Sequence, residues 1–216
     1  MEEQLLKIFE GNSELFITTS LTGEVDERGK TVGQTLTIHE PVTLKIWKEH
    51  LDGTKRIGIK PEKNDKCKWG CIDIDPQSYK DYSQKKVIDI LKDNQLPLVP
   101  VRSKSGGLHL FLFLDNWYPV KDVLKKLNEW NKNFFQALEV FPMNKCMNMP
   151  YFNMNATTEF AYNESNTPVM IGTFIEIIKS KTLSLDQLQN IKVKEYEPEE
   201  DWKHYPPCVQ KMIMDK

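Results

Sequence analysis

The fold class this sequence predicts is α+β, and three observations predict it. Strand-like and helix-period runs alternate through the middle of the chain in the order β-α-β-β-α-β. Two of those strand-like runs, Leu96–Arg102 and Leu108–Leu114, are joined by a Ser-Lys-Ser-Gly-Gly turn. The 216 residues are 39% hydrophobic and 28% charged, an ordinary globular composition. A chain of this length buries roughly 70% of its unfolded surface and needs no covalent staples.

Taken in order, residues 2–10 alternate charged and apolar groups at helical spacing and stop at Gly11. Residues 14–21 and 34–39 read as strands around a Gly-rich turn. Thr43 is placed to cap a short helix carrying Leu44, Trp47 and Leu51 on one face. These segments form an N-terminal α/β layer. Trp69–Asp75 (WGCIDID) is the first strand of the central unit. Ser83–Asn94 is a helix capped by Ser83, with Val87, Ile90 and Leu91 as its apolar face. Leu96–Arg102 carries two prolines, which suits an edge strand. Leu108–Leu114 is the third strand, and a long helix opens near Pro119 with Val123, Leu127, Trp130, Phe134 and Leu138 inward. Leu138–Phe141 is a short fourth strand.

That order is the split, ferredoxin/RRM-like unit, in which the first strand lies between the third and the fourth. Side chains alternate across a strand. With Ile72 and Ile74 toward the helices, Cys71, Asp73 and Asp75 fall on the open face. Leu108, Leu110 and Leu112 likewise go inward and leave His109, Phe111 and Phe113 open; Glu139 stands out between Leu138 and Val140. Three acids and one histidine are thus expected on one exposed sheet face.

Charge and cysteine usage narrow the class. The net charge is −2, but six basic residues crowd Lys55–Lys68 and five acids crowd Glu195–Asp201. The basic run leads into the strand that bears Asp73. Four cysteines without a secretion signal point to reduced thiols rather than a disulfide framework. Cys67 and Cys71 have no second close pair, so no zinc site is expected. No apolar run approaches a membrane span, and the reading is a cytoplasmic protein with no membrane contact.

Asp73 and Asp75 sit two apart on a strand, roughly 6.6 Å along it and on one face. Two such carboxylates repel each other at neutral pH unless cations lie between them. Divalent ions bridged by carboxylates are a common device for in-line phosphoryl displacement, and hard oxygen donors suit magnesium or manganese. The plain alternative is two acids on a solvated strand end. The hairpin Arg102–His109 reads as an anion cradle: Gly106 and Gly107 let backbone amides approach, Ser105 adds a hydroxyl, and Lys104 and Arg102 add charge. His109 then donates to a phosphate oxygen. Here the plain alternative is an ordinary turn with His109 packed on Phe111.

Three segments carry a resemblance: Cys-Ile-Asp73-Ile-Asp75-Pro, then Ser105-Gly-Gly-Leu-His109-Leu-Phe, then Leu-Glu139-Val-Phe-Pro. Together they resemble the three motifs of the archaeo-eukaryotic primase superfamily, and Asn148-Met-Pro-Tyr-Phe152 resembles primase–polymerases of phages, plasmids and other mobile elements. The resemblance runs from about Trp47 to Phe152. It implies a nucleotidyltransferase with Asp73, Asp75 and Glu139 as catalytic metal ligands for two divalent ions, Mg2+ or Mn2+. It further implies a nucleotide site at Arg102, Lys104, Ser105, Gly106, Gly107 and His109, and single-stranded DNA and nucleoside triphosphates as partners. Related sequences often carry a basic residue just after Glu-x-Phe-Pro; this chain has Met143 there, and Lys145 stands as the substitute. Lys60, Lys66, Lys68 and Lys145 are the expected template contacts. His204-Tyr-Pro-Pro-Cys resembles a junction into a C-terminal primase or helicase region, which makes a helicase domain or protein a further expected partner. Residues 1–195 are read as the catalytic domain, with its core at about 56–180, and 196–216 as an acidic linker opening a further region.

Competing readings are a gap-filling or end-joining polymerase that only extends primers, a two-metal nuclease, and a non-catalytic RRM-like nucleic-acid-binding module. The last would want stacking aromatics on its central strands, where this chain carries acids.

Overall fold

A computed structural model describes residues 1–25, 31–76, 82–137 and 139–193. The architecture is mixed α/β, with two four-stranded antiparallel sheets and six α-helices among the described residues. In chain order the elements are α1 (Glu2–Ile8), β1 (Phe16–Val25), β2 (Thr31–Ile38), α2 (Leu44–Leu51), β3 (Arg56–Ile59) and β4 (Lys66–Ile74). There follow α3 (Gln84–Asp93), β5 (Val99–Arg102), β6 (Leu108–Pro119), α4 (Val120–Trp130), a π-helical turn (Asn131–Phe135) and β7 (Glu139–Phe141). The chain then adds β8 (Met147–Asn148), α5 (Ile171–Lys181) and α6 (Leu185–Asn190). One sheet runs β2-β1-β3-β8 and the other β5-β6-β4-β7.

The caps form as expected from the side chains. Ser83 Oγ accepts from the Lys86 amide at 3.4 Å, and Thr43 Oγ1 from the Ile46 amide at 3.3 Å. Some faces differ from expectation. Leu44 is exposed, and α2 buries Trp47, His50 and Leu51 instead. In α3 it is Ile88, with Val87 and Leu91, that is fully buried, and Ile90 only packs at the margin. After Trp130 the π-helical turn adds a residue to the winding, so Phe135 rather than Phe134 enters the core. Leu138 lies outside the described residues, as do the acidic run and residues 196–216. The third strand extends to Pro119, and β3 emerges from what reads as a basic run, because Ile57 and Ile59 are an apolar alternation inside it.

Each face of the β5-β6-β4-β7 sheet has its own core. On one side Ile72, Ile74, Leu108, Leu110 and Leu112 pack with Val87, Leu91, Val123, Leu127 and Trp130 of α3 and α4. On the other, Trp69, Cys71, Phe111 and Phe113 are buried with Phe9, Trp47, Ile57 and Phe174. This corrects the expectation of an open face. Phe9 stands 5.4 Å from both Phe111 and Phe113 and 5.6 Å from Trp69, ring centre to ring centre. So much aromatic surface is covered rather than left in water. At the end of this face Asp73 and Glu139 stay partly accessible, with His109 buried beside Asp73.

The β5 edge, expected from its prolines, is an edge in the strand order, yet its outer side is paired. Val101 bridges to Ala161, the Arg102 amide donates to the Phe160 carbonyl, and the Tyr162 amide donates to the Pro100 carbonyl, both at 2.9 Å. Among the described residues no helix is long and apolar enough to cross a membrane.

The two hairpin glycines serve different ends. Gly106 has φ +88°, the left-handed region that an L side chain enters only under strain. A Cβ on Gly107 would lie 2.1 Å from the Ile74 carbonyl oxygen and 2.7 Å from Pro76 Cδ, so Gly107 lets the hairpin lie directly on the strand of Asp73. The Cys pair is separated as well: the β4–β6 ladder is irregular between Cys67 and Trp69, and Cys67 enters the helix-side core while Cys71 enters the other. Burial pushes the Cys67 thiol up to about 12 and Cys71 well above its ordinary value, with Asp73 adding to the second. Both are packing residues.

His50 ties α2 to the chain beyond β8. Its Nε2 donates to the Pro150 carbonyl at 2.9 Å and its Nδ1 accepts from the Ile57 amide at 3.3 Å, which requires a neutral ring. Burial, with Arg56 adding to it, lowers its pKa from 6.5 to about 4.

Two predictions come from this geometry. The unfolded chain binds the His50 proton below pH 6.5 and the folded chain only near 4, so stability falls as pH drops through that window. Urea denaturation should show wild type losing about 2 kcal/mol more than His50→Gln between pH 7 and pH 5; equal losses would mean His50 is not neutral in the fold. Gly107→Ala should cost about 3 kcal/mol, because backbone has to move, and Gly106→Ala about 1 kcal/mol for its dihedral. The reverse ranking would remove the Ile74 contact as the constraint.

Candidate active site

A single cross-strand row organises the site. Asp73 on β4 lies opposite His109 on β6 and, on its other side, opposite Glu139 on β7. His109 lies opposite Val101 on β5, and Val101 opposite Ala161. Directly opposed residues share a face. Asp73, His109 and Glu139 therefore stand together on the face opposite α3 and α4, next to the buried Val101 and Ala161.

The local contacts are specific. His109 Nε2 lies 3.5 Å from Asp73 Oδ1. Burial lowers the His109 pKa, and the charges of Asp73 and Glu159 act in the opposite sense with less effect, so the ring is a neutral donor at pH 7. Lys145 Nζ donates to Glu139 Oε1 at 2.6 Å. Two acids set directly opposite each other repel; here a lysine sits on one and a histidine beside the other. Asp75 follows the end of β4, one residue beyond Ile74. Among the described residues no three His, Cys, Asp or Glu side chains are already gathered as a metal cluster. The donor set still suits a hard divalent ion: carboxylates of Asp73 and Glu139 face each other across one ladder step, Asp75 is two residues along, and each of the three is partly accessible.

The hairpin is more internally bonded than the sequence suggests. The Gly106 amide donates to the Ser103 carbonyl at 3.0 Å, so it is spent on the turn and does not face a ligand. The Ser103 amide donates to the Gly107 carbonyl at 2.9 Å, and the Ser103 and Ser105 hydroxyls lie 3.2 Å apart. Arg102 donates from its guanidinium to the Thr158 carbonyl at 2.9 Å, which anchors the hairpin rather than leaving that nitrogen for an anion. Lys104 and Ser105 sit at the tip of the turn, beside His109.

The expected template lysines do not form one surface. Lys60 donates to Asn144 Oδ1 at 3.1 Å, which brings it near Lys145 and Glu139. Lys66 and Lys68 emerge at the far end of β4, roughly 17–23 Å from Asp73 along the strand. Lys68 is paired with Glu10 at 3.3 Å. The rest of the basic run is divided too: Lys55 bonds Glu49 at 2.9 Å, and Arg56 is buried against Glu159. All four residues of β3 are buried, Arg56 included, so proximity in sequence does not give a patch. Ser103, Tyr82, whose hydroxyl donates to the Gly106 carbonyl at 3.3 Å, and Arg56 were not singled out from sequence. The Arg-Ile-Gly-Ile alternation was the available signal for Arg56.

Comparison with known proteins completes the description. Among solved structures, the archaeo-eukaryotic primase domain of the primase-polymerase from cyanophage S-2L matches at 10% identity and a TM-score of 0.42, over 82% of this chain and 98% of that one. No curated protein matches. The family model described as "TOTE conflict system, Archaeo-Eukaryotic Primase domain" matches residues 24–148, more than half of the chain, a stretch that holds Asp73, Asp75, the 102–109 hairpin and Glu139. With the family covering that much of its length, this chain belongs to the archaeo-eukaryotic primases, in the branch described from TOTE conflict systems.

Proposed function

We propose that the chain is a template-dependent nucleotidyltransferase, a DNA primase or primase-polymerase that joins nucleoside triphosphates on single-stranded DNA. The observation that carries this reading is the row Glu139–Asp73–His109, whose two acids stay partly accessible at the end of an otherwise buried sheet face. Family membership supports nucleotidyl transfer in general. We read β4-α3-β5-β6-α4-β7, with strand order β5-β6-β4-β7, as the split ferredoxin/RRM-like unit, and residues 1–195 as one catalytic domain.

In this proposal Asp73, Asp75 and Glu139 would hold the divalent ions, magnesium or manganese. When bound, such ions neutralise charge on the triphosphate and lower the pKa of the attacking 3′-hydroxyl. The chain's own side chains do the positioning. His109, neutral and fixed beside Asp73, donates one N–H to a phosphate oxygen. Lys104 and Ser105 reach the same anion from the turn. Lys145, held on Glu139 at 2.6 Å, is free to turn to phosphate once Glu139 has another cation. The 3′-oxygen attacks the α-phosphorus, its proton passes to solvent, and pyrophosphate leaves.

The non-catalytic RRM-like reading has no platform here. Phe111 and Phe113, the aromatics a single strand would stack on, are buried under Phe9.

Asp73→Ala and Asp75→Ala should abolish incorporation of labelled triphosphates on primed and unprimed single-stranded DNA, with unchanged thermal melting. His109→Ala should raise the half-saturating nucleotide concentration about tenfold or more in single-turnover extension, the size of one lost charge-assisted bond. Chelation should silence the wild type, and magnesium or manganese should restore it. An Asp73→Ala enzyme as active as wild type would sink the assignment.

A further inference from the structure

A buried ion pair stands close to the row of Asp73 and His109. Arg56 on β3 donates to Glu159 across 103 residues of sequence, and the two are only 8% and 5% exposed. The Arg56 guanidinium also lies 4.1 Å from the centre of the Phe152 ring. Burying one such charge alone is strongly unfavourable, so each makes the other tolerable.

The position of Glu159 gives the pair its interest. It lies two residues before Ala161, which opposes Val101, which opposes His109, which opposes Asp73. A step of two residues along extended chain returns to the same face. Glu159 therefore belongs to the row next to Asp73's, across Ser103 and Gly107 from the strand of Asp75. Two strand spacings separate it from His109's strand, roughly 10 Å. Its segment is also bonded to the nucleotide hairpin: the Arg102 amide takes the Phe160 carbonyl, and the Arg102 side chain takes that of Thr158. Its contact with Arg56 gives Glu159 a role apart from metal binding.

We propose that Arg56 and Glu159 are a positioning pair for the nucleotide site. Arg56 cancels the Glu159 carboxylate next to His109, so that an incoming triphosphate meets no unpaired negative charge there. This deepens the proposed function and rests on it. Neither residue touches the reacting atoms. The pair acts through the electrostatic potential at the site, and its signature is an asymmetry between the two partners.

The test measures equilibrium binding of a fluorescent nucleoside triphosphate with calcium as the non-reactive ion, beside single-stranded DNA binding and thermal melting, on the full chain. Arg56→Met leaves a bare carboxylate and should weaken nucleotide binding about tenfold, the effect of one charge at roughly 10 Å and an effective dielectric near 20. Glu159→Gln leaves Arg56 positive and should tighten nucleotide binding several-fold. Arg56→Met with Glu159→Gln should return close to wild type, and DNA binding should change little in any of them. A tie that is only structural would lower the melting temperature of all three and leave nucleotide affinity alike; that result overturns the pair's role while leaving the active-site reading intact. If Arg56→Met does not fold, Glu159→Gln decides: unchanged or weakened nucleotide binding overturns the proposal. A wild type that binds no triphosphate overturns the proposed function itself, and this inference with it.

Discussion

The packing of Phe9 against Trp69, Phe111 and Phe113 is the contact on which the rest of this molecule depends. A sheet with helices on one face and aromatics on the other has no stable way to leave the second face wet. Helices α1 and α5, through Phe9 and Phe174, close it. Burial falls off where the sheet changes from aromatic to charged, at the row of His109, Asp73 and Glu139, whose two acids are partly accessible.

Burial also sets the electrostatics. His109 lies 3.5 Å from Asp73, yet desolvation lowers its pKa and keeps the ring neutral. Lys145 on Glu139 and Arg56 on Glu159 use direct pairing instead. The first is partly exposed and the second is buried.

Much of this was legible in sequence because alternation carries so much information in a strand. Ile-Asp-Ile-Asp and Leu-His-Leu-Phe state their own faces, and both cores follow from them. Ser83 and Thr43 announce helix starts through hydroxyls that later accept backbone amides. What sequence could not supply was what covers a face, since nothing local to Phe111 says that Phe9, more than a hundred residues earlier, will lie on it. The basic run failed for a related reason: Arg56 looks like its neighbours until a carboxylate from residue 159 is set beside it. The π-helical turn displaced Phe134 because a single extra residue in the winding has no signature in the hydrophobic period.

The row through Ala161, Val101, His109, Asp73 and Glu139 has a bearing on how the chain acquires its site. Its members are drawn from segments up to 88 residues apart (161 − 73), and the strand of Asp73 is made first. Non-local pairings of this kind form slowly, since long loops have to close before any contact rewards them. Asp73 precedes β6, β7 and residues 158–162 in sequence, so its row is complete only once residues 160–162 have docked on β5.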